Sequence, residues 1–456
     1  MRTAVRRFAR CAMVALTLVF AAAQPAAAQD ALRDSETEKL FHDMAAPLIA
    51  AAGMDPKNVQ IILLNDPEVN AFTAGGQVVY VNSGLIEAAD NANQVQGVLA
   101  HELGHVAGGH AIRIGEGEKS ASRISILSLL LGAAAIAAGA GDAGMGIMAL
   151  GQTAAQSNFL SYTRSQEATA DAAGATYLSK AGISGRGMLD FFKKLQNLEY
   201  RLAIPQDSDQ TYGRTHPLSA DRIAALDQKL EHDPAWNRPS DPAIEARFQR
   251  VKGKLTGYLE PKTAVQKYPE SDQSAAAHYA RAYAYHQGSY PQKAQMEAQA
   301  LLRLAPEDPY YNELYGQILL EGGHPADAIA PLRLAVAKAP DQPMIAVMLG
   351  HALIATEDPK NFAEAKAVVK AAVNRDNDNP FAWYVLGSIY DHDGDQPRAS
   401  LAYAEQSKLE GDTKKALGAA KTAMAGLKAG TPDYLRAQDI AMVAEAELKK
   451  KKKGKS

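Results

Sequence analysis

At 456 residues and 47 % hydrophobic content the chain exceeds what one ordinary core holds, so two or three domains are expected. Its formal net charge is −3 and becomes −7 once the four arginines among the first 28 residues are set aside, which excludes a nucleic-acid binder of the basic-patch kind. The single cysteine, Cys11, lies in those first residues, so the rest of the chain folds without disulfides.

The N-terminus carries Arg2, Arg6, Arg7 and Arg10, then an apolar run from Cys11 to Ala23, then Ala26-Ala27-Ala28. This is the layout of a cleaved signal peptide over residues 1–28, with Arg6-Arg7 leaving twin-arginine export open. As a membrane anchor the run falls short of the ~20 residues a spanning helix needs.

From 29 to 231 the pattern is mixed. Ser35 to Ala52 has helical periodicity, and Val59 to Leu64 is an apolar run of strand length. Val69 to Thr73 and Gln77 to Val81 flank Ala74-Gly75-Gly76 as a hairpin. Gln77 to Val81 is also the candidate rail for an extended peptide, bound through an exposed strand edge. A helix follows from Asn93 to Gly108, with Val95, Leu99, Leu103 and Val106 as its apolar stripe and Gly108-Gly109 as its stop. Ile124 to Gly141 is uncharged and rich in Ala, Gly and Leu. Close helix packing or a lid is the expected reading, with peripheral membrane contact through 124–141 as the other. A second helix is expected from Thr163 to Lys180.

Residues 232–242 hold Pro234, Pro239 and Pro242 among polar residues and read as a linker. Beyond them the chain repeats: Ala294 and Ala328, Pro306 and Pro340, and Gly316 and Gly350 are each 34 apart. Gly350 to Gly387 is 37, which a three-residue insertion between Glu357 and Asn361 explains. The period and the small and large positions of Trp383-x-x-Leu386-Gly387-x-x-Tyr390 resemble the tetratricopeptide repeat. About four repeats are expected over 273–411, inside an all-helical domain spanning 243–448 that offers a groove for peptides or partner proteins. Lys449 to Lys453 opens a basic tail, 449–456, expected to be solvated and disordered.

The chemistry concentrates in His101-Glu102-Leu103-Gly104-His105. Histidines four apart on a helix present imidazoles from one face to one metal ion, and Glu102 beside them can accept a proton from water. A catalytic zinc wants a third protein ligand. Glu167 and Asp171 stand four apart on the second helix, so Glu167 can ligate while Asp171 holds a histidine ring. His110 is a rival ligand, but it arrives one residue early for the metzincin pattern and fits the helix end or a supporting position better. His216, before Pro217, is held in an extended loop suited to reaching into a cleft.

His101-Glu102-x-x-His105, Glu167-x-x-x-Asp171 and Thr215-His216-Pro217 followed by Arg222 together resemble the gluzincin family that includes the CAAX-prenyl protease and HtpX. The resemblance implies an α+β, mainly helical architecture: a zincin-type protease domain with a small sheet, then the tetratricopeptide-repeat solenoid. It implies one zinc per chain on His101, His105 and Glu167, with Glu102 as general base. It also implies His216 near the metal, either stabilising the oxyanion or occupying the open position at rest, and Arg222 orienting the loop or a substrate carbonyl. The signal and repeats narrow the likeness to periplasmic members. That implies unfolded or misassembled outer-membrane proteins as substrates and the β-barrel assembly machinery as partner. A chaperone or scaffold with a silent metal site is the alternative expectation.

Overall fold

The computed structural model describes residues 31–137, 140–202, 216 and 219–453. The expected signal peptide, Thr215 and Pro217 lie outside the described residues. The chain divides into two compact units: Met1–Arg33 with Glu38–Phe248, and Asp34–Thr37 with Gln249–Ser456.

In the first unit a four-stranded sheet, order β1-β2-β4-β3, comprises β1 (Ala31–Leu32), β2 (Gln60–Leu64), β3 (Ala71–Thr73) and β4 (Val78–Asn82). The hairpin expected around Gly75 and Gly76 forms, with Phe72 opposite Tyr80 and both glycines at positive φ, as its turn requires. The rail assignment needs correction. β4 is hydrogen-bonded on both sides, parallel to β2 and antiparallel to β3, so its main-chain groups are already spent. The free edge beside it belongs to β3.

Helix α1 (Ser35–Ala51) precedes β2, and the short α2 (Ser83–Ala88) leads into α3 (Ala92–Gly108). The Asn91 side chain caps α3 by accepting from the Gln94 N–H, and Gly109, in the left-handed conformation, ends it by donating to the His105 and Val106 carbonyls. Two helices then form a hairpin, α4 (His110–Ala137) and α5 (Gly141–Ala181). α5 thus begins well before Thr163. Its first half lacks an apolar period because small residues line its contact with α4. α6 (Arg186–Leu202) and α7 (Ala220–Glu231) complete the unit.

α3 lies between α5 and α6 at backbone distance. A Cβ on Gly104 would stand 2.7 Å from the Ala170 carbonyl oxygen, and one on Gly97 would stand 2.4 Å from the Met188 Cα. Val95, Leu99 and Leu103 on α3 and Phe191 and Phe192 on α6 are buried in the core. The segment read as a linker is anchored: the Ser184 hydroxyl donates to the Trp236 carbonyl, and the Arg186 guanidinium stacks on the Trp236 ring.

The second unit opens within α8 (Pro242–Leu259), continues through α9 (Pro261–Lys267), and then runs as helix pairs. These are α10 (Ala275–Gln287) with α11 (Pro291–Leu304), α12 (Pro309–Glu321) with α13 (Pro325–Lys338), α14 (Pro343–Ala355) with α15 (Pro359–Arg375), and α16 (Pro380–His392) with α17 (Gln396–Leu409). Proline opens most of them, where its missing N–H costs no hydrogen bond. The irregular spacing arises in α15, which has 17 residues against 14 in α13. Gly316, Gly350 and Gly387 each face a side chain of the paired helix, Leu332, Val369 and Tyr403. That contact is why glycine recurs in the repeat. α18 (Thr413–Gly426) and α19 (Pro432–Lys453) close the array. α19 continues through Lys453, so the lysine run is helical rather than disordered.

Candidate metal centre

The close approach of α3 and α5 gathers side chains far apart in sequence. His101 and His105 point from α3 with their Nε2 atoms 3.1 Å apart. Glu167 on α5 sets Oε1 3.3 Å from His105 Nε2 and Oε2 3.4 Å from His101 Nε2. His216 brings Nδ1 within 3.0 Å of Glu167 Oε1 and 3.4 Å of His101 Nε2. The four residues offer ligand atoms that all lie within 4.8 Å of one another, and all four are buried. Four ligands placed tetrahedrally at about 2.0–2.1 Å around one ion stand about 3.3–3.4 Å from each other. The donor set is two or three imidazoles and a carboxylate at that spacing, so the residues fit a metal ion.

A supporting ring fixes these ligands. His101 Nδ1 lies 2.9 Å from Asp171 Oδ1, an ion-pair contact, while its Nε2 faces the cluster. Asp171 is in turn gripped by Arg222 through Nε at 2.7 Å and Nη2 at 2.9 Å. Arg222 Nη1 also reaches Glu167 Oε2 at 3.0 Å. Arg222 thus contacts both carboxylates, a pairing invisible in sequence because 51 residues separate it from Asp171. His110, the first residue of α4, places Nδ1 2.9 Å from His105 Nδ1. Gly108 makes that possible, since a Cβ there would stand 2.4 Å from His110 Nε2. Phe192, which sequence reading passed over, lays its ring edge-on against His101 at 5.4 Å.

Electrostatics follow the geometry. Burial alone would lower His101, but the Asp171 and Glu167 carboxylates outweigh it and push it up to about 9. Burial pulls His105 down to about 4. Glu167 is driven well below the usual carboxylate range, because hydrogen bonds from His101, His105 and His216 overcome its burial. Glu102 goes the other way. It is fully buried, its desolvation raises its pKa, and neither carboxylate oxygen has a hydrogen-bond partner among the described residues.

An α3-type helix with paired histidines, a glutamate from a neighbouring helix and an uncommitted buried carboxylate beside them defines a metalloprotease. Residues 32–230 match the peptidase family M48. It is 26 % identical to the beta-barrel assembly-enhancing protease of Yersinia pestis, over 85 % of this chain and 79 % of that one. It is 23 % identical to the protein of the same name from Escherichia coli strain K12, over 89 % and 82 %. The metalloprotease YcaL of the latter strain is 29 % identical, over 44 % of this chain and 73 % of its own length.

Proposed function

We propose that the protein is a periplasmic zinc endopeptidase acting on unfolded or misassembled outer-membrane proteins, with the repeat unit docking substrates or the β-barrel assembly machinery. The observation that carries the catalytic part is the convergence of His101, His105 and Glu167 beside a buried Glu102 with both oxygens uncommitted. The names of the Yersinia and Escherichia relatives support the client class, and helix-pair arrays of this kind expose grooves for extended peptides.

His101, His105 and Glu167 would hold the zinc. Bound there, the ion supplies Lewis acidity toward a carbonyl and lowers the pKa of water. Glu102 accepts the proton of the attacking water and returns it to the leaving amine, a task suited to a carboxylate whose pKa is raised by burial. An extended substrate would add to the free edge of β3, the strand that packs against α3.

His216 sits among the donors with Nε2 3.6 Å from Glu102 Oε1, where water and substrate would have to enter. The arrangement is a resting latch: substrate gains access when His216 withdraws. Cleavage of an unfolded β-barrel protein by wild type, Glu102→Gln and His216→Ala tests the reading. Loss of about 10²–10⁴-fold in Glu102→Gln is expected for removal of a general base. Higher cleavage in His216→Ala supports the latch, and abolished cleavage assigns His216 a direct part in the reaction. The full burial of the cluster favours one other reading, a scaffold with a silent site. Metal-loaded wild type and both variants all failing to cleave would establish it.

A further inference from the structure

The α4–α5 hairpin is built inside out. In a water-soluble pair the large apolar residues meet and the small or polar ones face out. Here glycines let the two helices close to backbone distance, with the Met148 and Ile136 side chains lying over Gly132 and Gly144. A Cβ on Gly144 would stand 2.5 Å from the Gly132 carbonyl oxygen, and one on Gly151 would stand 1.9 Å from the Ser128 Cβ. The outward positions of α4 carry Ile126, Leu127, Leu129, Leu130 and Leu131, each between 54 % and 65 % exposed. On α5, Met145 and Leu150 are exposed as well. Small residues between helices and large ones outside is the pattern of helices packed in lipid, where close van der Waals contact holds the pair.

The distribution chooses the occupant. At 3.6 residues per turn the five exposed apolar positions of α4 cover roughly 200° of its circumference. A partner helix, including a second copy of this chain, covers a stripe of about 100°. Only a surrounding apolar phase covers the rest. The charges agree. Lys119 and Arg123 on α4 are exposed where its apolar segment ends, and between Arg123 and Arg164 the only charged residue is Asp142. Cations at that level meet anionic headgroups.

The same figures limit the depth. His110–Ile136 is long and apolar enough on average to cross a membrane, with only 11 % of its most apolar window buried. Its first half, however, holds Glu116, Glu118, Lys119 and Arg123. The uncharged remainder, Ile124 to Ala137, is about 21 Å long at about 1.5 Å per residue, against a hydrocarbon core of about 30 Å. We infer that the apolar ends of α4 and α5 dip into one leaflet of an anionic phospholipid membrane, held by Lys119 and Arg123 at the headgroups. Asp142, in the first turn of α5, is the one group that opposes insertion. Gln152 is where polar residues return on α5, and Glu167 lies on the same helix about 22 Å beyond it at about 1.5 Å per residue, so the hairpin holds the metal cluster a fixed short distance above the lipid.

Flotation of residues 29–456 with vesicles of phosphatidylethanolamine and phosphatidylglycerol tests this independently of proteolysis. Wild type is expected to float with the vesicles. Leu127→Gln/Leu130→Gln/Leu131→Gln alters only exposed side chains and is expected to lower partition at least about tenfold, with an unchanged circular-dichroism melt. Lys119→Glu/Arg123→Glu should lose binding to these vesicles, and Asp142→Asn should strengthen it several-fold. Wild type remaining with the soluble fraction, or the leucine variant floating equally well, would overturn the inference. So would a wild-type dimer, without vesicle binding, that the leucine variant dissociates.

Discussion

His101 and His105 each turn Nε2 toward the other donors and set Nδ1 beside a neighbouring side chain, Asp171 for His101 and His110 for His105. Losing that partner leaves the ligand present but free to rotate. Asp171→Asn is therefore expected to weaken zinc retention by about 10–100-fold, read by competition with a chelator, while the protein stays folded. Undiminished affinity would mean that packing, through Phe192 for example, orients His101 unaided. The pairing of His101 with His105 was legible because a four-residue spacing on a helix is a statement about one face. Arg222 was legible only as part of a motif. Its partners come from α5, and no local period announces a guanidinium that reaches across the fold.

At the level of elements, glycines decide whether the cluster can exist. Gly104 meets Ala170 of α5, and a Cβ on Gly174 would lie 3.0 Å from the Ala100 carbonyl on α3, so the two helices touch backbone to backbone. Gly104→Ala should cost about 1–3 kcal/mol in denaturant unfolding, the usual penalty for overpacking, and should loosen zinc retention by moving Glu167 away. A variant as stable as wild type with full zinc would show that the helices have slack. Sequence periodicity found α3 and the repeat helices, whose apolar residues recur. It missed the start of α5, where small residues do the packing, and it could not tell an edge strand from a central one, since partner order is not a local property.

A second test belongs to the repeat unit. Lys254 pairs with Asp34, and Arg250 with Glu36 and Asp308, over the rings of Tyr279 and Tyr311. Burial pushes Glu313, in the same group, up to about 8 against the pull of Lys254. Its folded pKa lies above the unfolded one, so the folded state binds its proton more tightly. That contribution is complete below about pH 4.5 and is lost as pH rises through about 8. Thermal melts between pH 5 and 9 should show wild type losing stability relative to Glu313→Gln as pH increases. Parallel profiles would contradict the burial of an acid in that group.

Over the whole molecule, the division into a protease unit and a helical repeat unit followed from a change of period along the chain, from mixed patterns to one of 34 residues. The boundary was less legible. It falls inside α8, between Phe248 and Gln249, because a continuous helix carries the chain from one unit to the next without a compositional break. The account rests on one ion held by three side chains from two helices of the first unit. Zinc content per chain, measured by plasma mass spectrometry on wild type, Glu102→Gln and His105→Ala purified alike, tests it most directly. One zinc in wild type and in Glu102→Gln, and far less than one in His105→Ala, is the predicted result. A full zinc equivalent surviving in His105→Ala, or none in wild type, would contradict it.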